Sequence, residues 1–308
     1  MRIVFMGTPA VAAVSLERLI KGPDPVVGVV TQPDRAAGRG QTVIPAPVRK
    51  VAEREGIAVL TPEKMRDPAF LSGLNQWAPQ LIVVVAYGRI LPRQILDLPP
   101  LGCLNVHYSL LPRYRGAAPV AWAVINGAET SGVTTMQLVE KMDAGPIFLQ
   151  REISLAADDT AGSLQTKLAP IGAELLMETI AKLKGGSLMP RAQNEQEATY
   201  APLLKKEDGL IDWRLPAAAI ERRVRGLSPW PSAYTQLDGK LLKIHRATVI
   251  TSESRATPGE VVRADKEALW IATGEAILSL DVVQLENKKR LPAADFLRGA
   301  KIEKGARL

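Results

Sequence analysis

"RIVFMGTPAVAAVSLERLI" (residues 2–20) decides how the chain folds. Its first part, "RIVFMG" (2–7), is an apolar run of strand length that ends at a glycine. Pro9 then opens a stripe of Val11, Val14, Leu16, Leu19 and Ile20, spaced as one face of a helix. The alternation continues along the chain. "VVGVV" (26–30) reads as a second strand, and the helical "APVRKVAEREG" (46–56) leads into a third, "AVL" (58–60). "LIVVVA" (81–86) and "CLNVH" (103–107) supply a fourth and a fifth. Strands that are apolar throughout, alternating with helices, predict a Rossmann-like, mostly parallel α/β sheet with helices on both faces. Ligands of such sheets sit beyond the carboxyl ends of the strands. Gly7, Tyr87-Gly88 and residues 105–116 all fall there. The first turn lacks the G-x-G-x-x-G spacing, and the chain has no G-x-x-x-x-G-K-[ST]. The sheet has the form of a nucleotide-binding sheet without either phosphate signature.

Farther on, "GVTTMQLVEKMDAGPIFLQREISL" (132–155) predicts a β-hairpin turning at residues 143–146. Residues 163–186 form a helical pattern closed by two glycines, with Pro170 inside it. The polar stretch 190–206 reads as a linker. After a helical "LPAAAIERRVRGL" (215–227), short alternating runs such as "AYTQL", "KLLKIHRATVI" and "AILSLDVVQL" are separated by Asp238-Gly239 and Pro258-Gly259. This spacing predicts a C-terminal small β-barrel, OB-like in type. The expected division is a catalytic domain at 1–189, a linker at 190–206 and a barrel domain at 207–308.

Composition narrows the class. With 308 residues and 46% hydrophobic content there is ample material for a core. The longest apolar run is far short of the roughly 20 residues a membrane helix needs. The N-terminal stretch lacks the features of a signal peptide, so a cytoplasmic setting is expected. Cys103 is the only cysteine, so the chain cannot form an internal disulfide. One cysteine and two histidines are also poor material for a zinc site, and no metal is expected. The net charge of +7 favours a polyanionic partner. That excess divides as +4 up to residue 206 and +3 beyond it, so both halves are expected to meet the polyanion.

The chemistry concentrates in "NVHYSLLPRYRG" (105–116). Asn105 and His107 stand two apart at a strand end, so their side chains share a face. A carboxamide can donate to a developing oxyanion, and an imidazole can move a proton near neutral pH. The plainer reading is a strand-end histidine capping a loop carbonyl, and the two residues alone do not separate these readings.

Their surroundings carry a resemblance. Asn105, His107, Ser109-Leu110-Leu111-Pro112, Tyr114-Arg115-Gly116 and Pro119, followed by Asp143 in "MDAGPI", resemble the ordered signature of the folate-dependent formyltransferases. "GTPAVAAVSLERL", "GVVTQPDRAAGRG", "VVVAYGRILP", "IDW" and "SPWPSAYT" extend it over nearly the whole chain. The last ~100 residues and the "PDRAAGRG" loop resemble the branch whose acceptor is initiator methionyl-tRNA. The resemblance implies formyl transfer from 10-formyltetrahydrofolate to the amino group of that tRNA, in translation initiation. Asn105 and a protonated His107 would stabilise the oxyanion, and His107 would protonate the leaving folate nitrogen. Asp143 would hold His107 charged and oriented, or help take the amine proton. Ser109, Leu110, Leu111 and Pro112 would pack on the folate, beside a pterin wall from 86–91. Arg39, in the long loop 31–50, would contact the tRNA. Arg222, Arg223, Arg225 and Lys288-Lys289-Arg290 are further candidate contacts, while His245 is expected to be structural. A monomer is expected.

Tyr108 is bulky for its place in the signature, and strand alternation turns it away from Asn105 and His107. Other acceptors in the same family, an amino-sugar nucleotide or phosphoribosylglycinamide, remain the nearest alternative. A hydrolase or dehydrogenase on this module would need a nucleophilic cysteine, and Cys103 lies within a strand. A non-catalytic RNA-binding protein would not need Asn105, His107 and Asp143 together.

Overall fold

The computed structural model describes residues 1–37, 42–252 and 255–308. The opening stretch forms β1 (Ile3–Gly7), fully buried, and α1 (Ala10–Ile20). Val11, Ala12, Ser15, Leu16 and Leu19 face inward, while Val14 lies at the surface. Small side chains at 12 and 15 let this face approach the sheet more closely than Val14 would allow. Next come β2 (Val26–Val30), a short hairpin of β3 (Arg35–Ala37) and β4 (Thr42–Ile44), α2 (Pro47–Arg54) and β5 (Val59–Leu60). They are followed by α3 (Pro68–Gln76), β6 (Leu81–Val85), α4 (Arg93–Leu96) and β7 (Cys103–His107). β8 (Arg115–Gly116) and α5 (Pro119–Ile125) lead into the predicted hairpin, β9 (Thr130–Gln137) and β10 (Ile147–Ser154). The connection within it spans 138–146, longer than the turn expected at 143–146. α6 (Ala161–Lys184) runs through Pro170, and β11 (Tyr200–Ala201) follows the polar stretch.

Seven strands form one sheet in the order β10-β9-β7-β6-β1-β2-β5. The strands from β5 to β7 are parallel, and β9 and β10 add an antiparallel edge. The anticipated mostly parallel sheet is therefore present. From β1 the chain builds outward to β2 and β5, then returns to the other side of β1 as β6 and β7. Such a reversal opens a crevice at the carboxyl ends. Val4, Met6, Val30, Leu74, Ile82 and Val84 belong to one packed core, where a fully buried aliphatic side chain stabilises by about 1.5–3 kcal/mol.

The C-terminal sheet is wholly antiparallel. It contains β12 (Ala233–Leu237), β13 (Lys240–Ile250), β14 (Val261–Ala264), β15 (Leu269–Ala272), β16 (Ile277–Leu285) and β17 (Leu291–Pro292). The order is β12-β13-β16-β15-β14, with β17 also pairing β16, consistent with a small barrel. α7 (Ala217–Gly226) and α8 (Ala293–Leu297) accompany it.

The chain divides into two compact units that interleave in sequence. One holds residues 1–119, 130–154 and 165–201, and the other holds 120–129, 155–164 and 202–308. Residues 190–201 thus group with the α/β unit. Among the described residues, no helix is long and apolar enough to cross a membrane.

Candidate active site

β7 presents Asn105 and His107 on one face at its carboxyl end. In register they lie opposite Met136 and Thr134 of β9. The alternate residues, Val106 and Tyr108, point to α6. A Cβ on Gly172 would stand 3.1 Å from the Tyr108 ring and 3.2 Å from Val106 Cγ1. Tyr108 therefore fits because α6 carries no side chain at 172. It is buried and lies away from the pair, as strand alternation requires.

His107 Nε2 stands 2.9 Å from the Tyr114 carbonyl oxygen. A carbonyl only accepts, so Nε2 carries the hydrogen. Nδ1 faces Asp143, with Oδ2 at 3.7 Å. The histidine thus does cap a loop carbonyl, and that bond fixes the ring so that its other nitrogen meets a carboxylate. Both side chains are sheltered, with His107 6% and Asp143 13% exposed. Asn105 is 9% exposed, and no described group hydrogen-bonds its carboxamide.

Asp143 is held in the left-handed region, φ 49°, a conformation aspartate tolerates better than most side chains. Gly145 comes so close to β9 that a Cβ there would lie 1.8 Å from the Gln137 carbonyl oxygen. This explains the D-x-G spacing: the aspartate takes the turn, and the glycine lets it fold back on the sheet. Gly116 N–H donates to Asp143 Oδ2 at 2.8 Å. The backbone carbonyls of Asp143 and Gly145 both accept from Gln193 Nε2, at 2.8 and 2.7 Å. Gln193 Oε1 in turn accepts from Arg115 Nε and Nη2, at 3.0 and 2.8 Å. Arg115 is 1% exposed and also pairs with both oxygens of Glu195, at 2.9 and 3.1 Å. Together with Lys141, Arg115 holds the Glu195 carboxyl down at about 2. The sequence gives no sign of Gln193 or Glu195, which lie in the stretch that reads as a linker. Arg115 in the signature marks only one end of this network.

The turn 109–112 is fastened from beneath. Ser109 Oγ donates to the Arg113 carbonyl at 2.6 Å. Thr134 Oγ1 donates to the Ser109 carbonyl at 2.6 Å and accepts from Leu111 N–H at 3.1 Å. Gln150 Nε2 donates to the Leu111 carbonyl at 2.8 Å. Leu111 is buried with Met136 and Ile147, and Leu110 packs over Gly132. The side chains of Ser109 and Leu111 thus shape the turn from inside, and Leu110 and Pro112 are the ones partly at its surface. In 86–91 Tyr87 is also turned inward, 1% exposed, with its hydroxyl on Met65 Sδ, and burial pushes its phenol up to about 12. Its carbonyl accepts from Gln32 Nε2 at 2.7 Å. A neighbouring cleft of about 350 Å³ is lined by Arg66, Ile90, Leu91, Pro92, Arg93, Gln94 and Glu140.

Arg39 lies outside the described residues. The neck of its loop is clasped by Asp34, whose carboxylate accepts from Ala46 N–H at 3.1 Å and from Arg49 Nη1 at 2.6 Å. Arg49 also donates to Glu53 at 2.7 Å, so it is engaged within the chain. In the second unit Arg225 pairs with Glu221, and Arg223 donates to the Asp208 carbonyl. Lys288, Lys289 and Arg290 are exposed. His245 bonds Gln284 on the neighbouring strand, and burial lowers its pKa. Among the described residues, no group of three or more His, Cys, Asp or Glu could hold a metal ion.

The chain has clear relatives over its whole length. Residues 1–180 match the formyl transferase family, and residues 203–301 match the formyl transferase C-terminal domain. The chain belongs to the formyl transferase family. It is 52% identical to the methionyl-tRNA formyltransferase of Desulfotalea psychrophila, covering 98% of this chain and 94% of that one. It is 49% identical to the methionyl-tRNA formyltransferase of Citrifermentans bemidjiense, over 100% and 96% of the two chains. Among solved structures, the fold is shared with the N-formyltransferase of Helicobacter canadensis in complex with folinic acid and dTDP-3-aminofucose. That match has a TM-score of 0.66 at 17% identity, over 94% of this chain and 99% of that one. HypX of Aquifex aeolicus in complex with tetrahydrofolic acid also shares it, with a TM-score of 0.64 at 20% identity, over all of this chain and 51% of that one.

Proposed function

We infer that this chain is a methionyl-tRNA formyltransferase, moving the formyl group of 10-formyltetrahydrofolate to the amino group of initiator methionyl-tRNA in the cytoplasm. Whole-length identity near one half with enzymes of that name supports the acceptor. The observation that carries the chemistry is the Asp143 carboxylate facing His107 Nδ1 at 3.7 Å, with the unengaged Asn105 carboxamide two residues away on the same face of β7.

Asn105 donates its NH₂ to the oxygen that gains charge when the amine attacks the formyl carbon. His107, its ring fixed through Nε2 on Tyr114, offers a proton from Nδ1 when charged. It stabilises the same oxygen and then protonates the leaving nitrogen. Asp143 offsets the positive charge on that ring and on the attacking amine, and helps take the amine proton as the bond from the formyl carbon to the folate nitrogen breaks. Leu110, Pro112 and the backbone of the turn form the surface that receives the folate. The cleft beside Ile90 suits the rest of that ligand, since its apolar walls fit an aromatic body, and Arg66, with Arg93 beside Asp97 and Glu140, brings positive charge for its carboxylates. Residues 1–189 carry the chemistry. Residues 207–308 bind tRNA together with Arg39, and the enzyme works as a monomer.

The test is formyl transfer from 10-formyltetrahydrofolate to Met-tRNA, uncharged tRNA, phosphoribosylglycinamide and an amino-sugar nucleotide in parallel. Rapid formylation of Met-tRNA alone is expected. A higher kcat/KM for a small amine would replace this reading with the alternative acceptor.

A further inference from the structure

We propose that Gln193 is a positioning residue for formyl transfer, acting through Asp143, and that the polar stretch 190–201 is part of the catalytic apparatus. This rests on the role given above to Asp143. The Gln193 carboxamide spans the gap between a buried arginine and the aspartate turn. Its oxygen accepts from Arg115 Nε and Nη2, which fixes which way the amide points. Its NH₂ then has one direction to donate, and it meets the carbonyls of Asp143 and Gly145 at 2.8 and 2.7 Å. Those carbonyls flank Ala144 in a turn that leaves the sheet at Gln137 and rejoins it at Ile147.

The segment is tied down along its length, so Gln193 is anchored independently of the turn it holds. Arg191 pairs with Ile147 through both backbone bonds, at 2.7 and 2.8 Å. Tyr114 N–H donates to Thr199 Oγ1 at 2.8 Å, and Arg115 N–H donates to the Thr199 carbonyl at 2.8 Å. β11 pairs β8 in parallel, through Tyr200 with Arg115 and Ala201 with Gly116. One segment therefore steadies three parts of the site. Tyr114 carries the carbonyl that fixes His107, Gly116 carries the N–H that holds the Asp143 carboxylate, and Gln193 holds the Asp143 backbone.

The experiment compares Gln193→Met and Gln193→Glu with wild type in the full-length protein, alone and combined with Asp143→Ala. Methionine keeps the size and removes every bond. Glutamate keeps the acceptors for Arg115, and with them the anchored segment, but cannot donate to the two carbonyls. Both single variants are expected to fold and to lose about 10- to 100-fold in kcat, with KM for tRNA and folate within about threefold, because loss of position at a reacting group is costly. In the Asp143→Ala background, Gln193→Glu, which keeps the segment anchored, should change kcat by less than about twofold, since two residues acting through one group are not additive. Wild-type kcat in folded Gln193→Glu would overturn the proposal, as would equal losses from Gln193→Glu with and without Asp143. Should Gln193→Met fail to fold, Gln193→Glu decides. If Asp143→Ala itself keeps normal kcat, the role of Asp143 has failed, a different result from a crippled Asp143→Ala beside an active Gln193→Glu.

Discussion

Replacing Asp143 by asparagine separates the two things its carboxylate does. The side chain accepts from Gly116 N–H at 2.8 Å and places a negative charge 3.7 Å from His107 Nδ1. Asparagine keeps an acceptor for the first and removes the charge from the second. Two unit charges at that distance attract by about 4.5 kcal/mol at an effective dielectric of about 20. Screening by water is weak here, because the two side chains are only 6% and 13% exposed. Each 1.36 kcal/mol is about tenfold in rate, so the full charge is worth about 10³-fold. The amide dipole returns part of this, and kcat of Asp143→Asn should fall by about 10²- to 10³-fold. KM for both substrates should stay within about threefold, since Asp143 acts on the charge of His107 and on the charge that develops at the attacking amine, and not on the binding of either substrate. Asp143→Ala should lose a similar factor in kcat and also melt lower, because the Gly116 N–H then loses its acceptor, at about 1–3 kcal/mol. The assay is steady-state formyl transfer with each substrate varied, alongside thermal melts. A kcat for Asp143→Asn within about fivefold of wild type would refute the electrostatic reasoning and leave Asp143 an orienting role only.

Three further outcomes are expected. Gly172→Ala places a methyl 3.1 Å from the Tyr108 ring, so it should destabilise by about 1–2 kcal/mol in chemical denaturation. In a Tyr108→Val background the cost should shrink, because only the Val106 contact at 3.2 Å then opposes alanine's helix preference of about 1 kcal/mol; an equal cost in both backgrounds would show that the two residues are not coupled. Burial holds the His245 imidazole below its ordinary pKa, outweighing the bond to Gln284. The unfolded chain then binds more protons, so stability is complete above the unfolded value near ~6.5 and is lost as pH falls through the folded value. The melting temperature should drop from pH ~7.5 to pH ~5, less so in His245→Gln, and identical pH profiles would remove the assignment. Burial also pushes the Cys103 thiol up to about 12, so an aromatic disulfide reagent at neutral pH should label the protein only after denaturation.

The parts of this protein legible in its sequence are those where chemistry repeats locally. Apolar strands alternating with helices announce the parallel sheet, because a strand buried on both faces must be apolar throughout. Asn105 and His107 are legible because spacing by two on a strand is itself a statement of direction. The fate of Tyr108 follows from the same rule, although Gly172, which makes room for it, could not be named in advance. Val14 was misplaced because a helix of alanine and serine buries its small face, which hydrophobicity alone does not mark.

Residues 190–201 were illegible for a different reason. They bury little apolar area, and their regular structure is one 3-10 turn at Glu195–Glu197 and a two-residue strand, both too short to show any period. What fixes them is a set of single hydrogen bonds from Gln193, Glu195 and Thr199 to groups more than 45 positions away in sequence. A polar stretch that serves as a linker and one that serves as a brace have the same composition. They differ in whether a buried partner waits for them, and here that partner is Arg115. A guanidinium that is almost fully enclosed needs acceptors for its donors, because leaving a buried charged group unpaired costs several kcal/mol. The arginine after Tyr114 was visible in the signature, and its burial is the physical reason that a distant glutamine and glutamate had to exist.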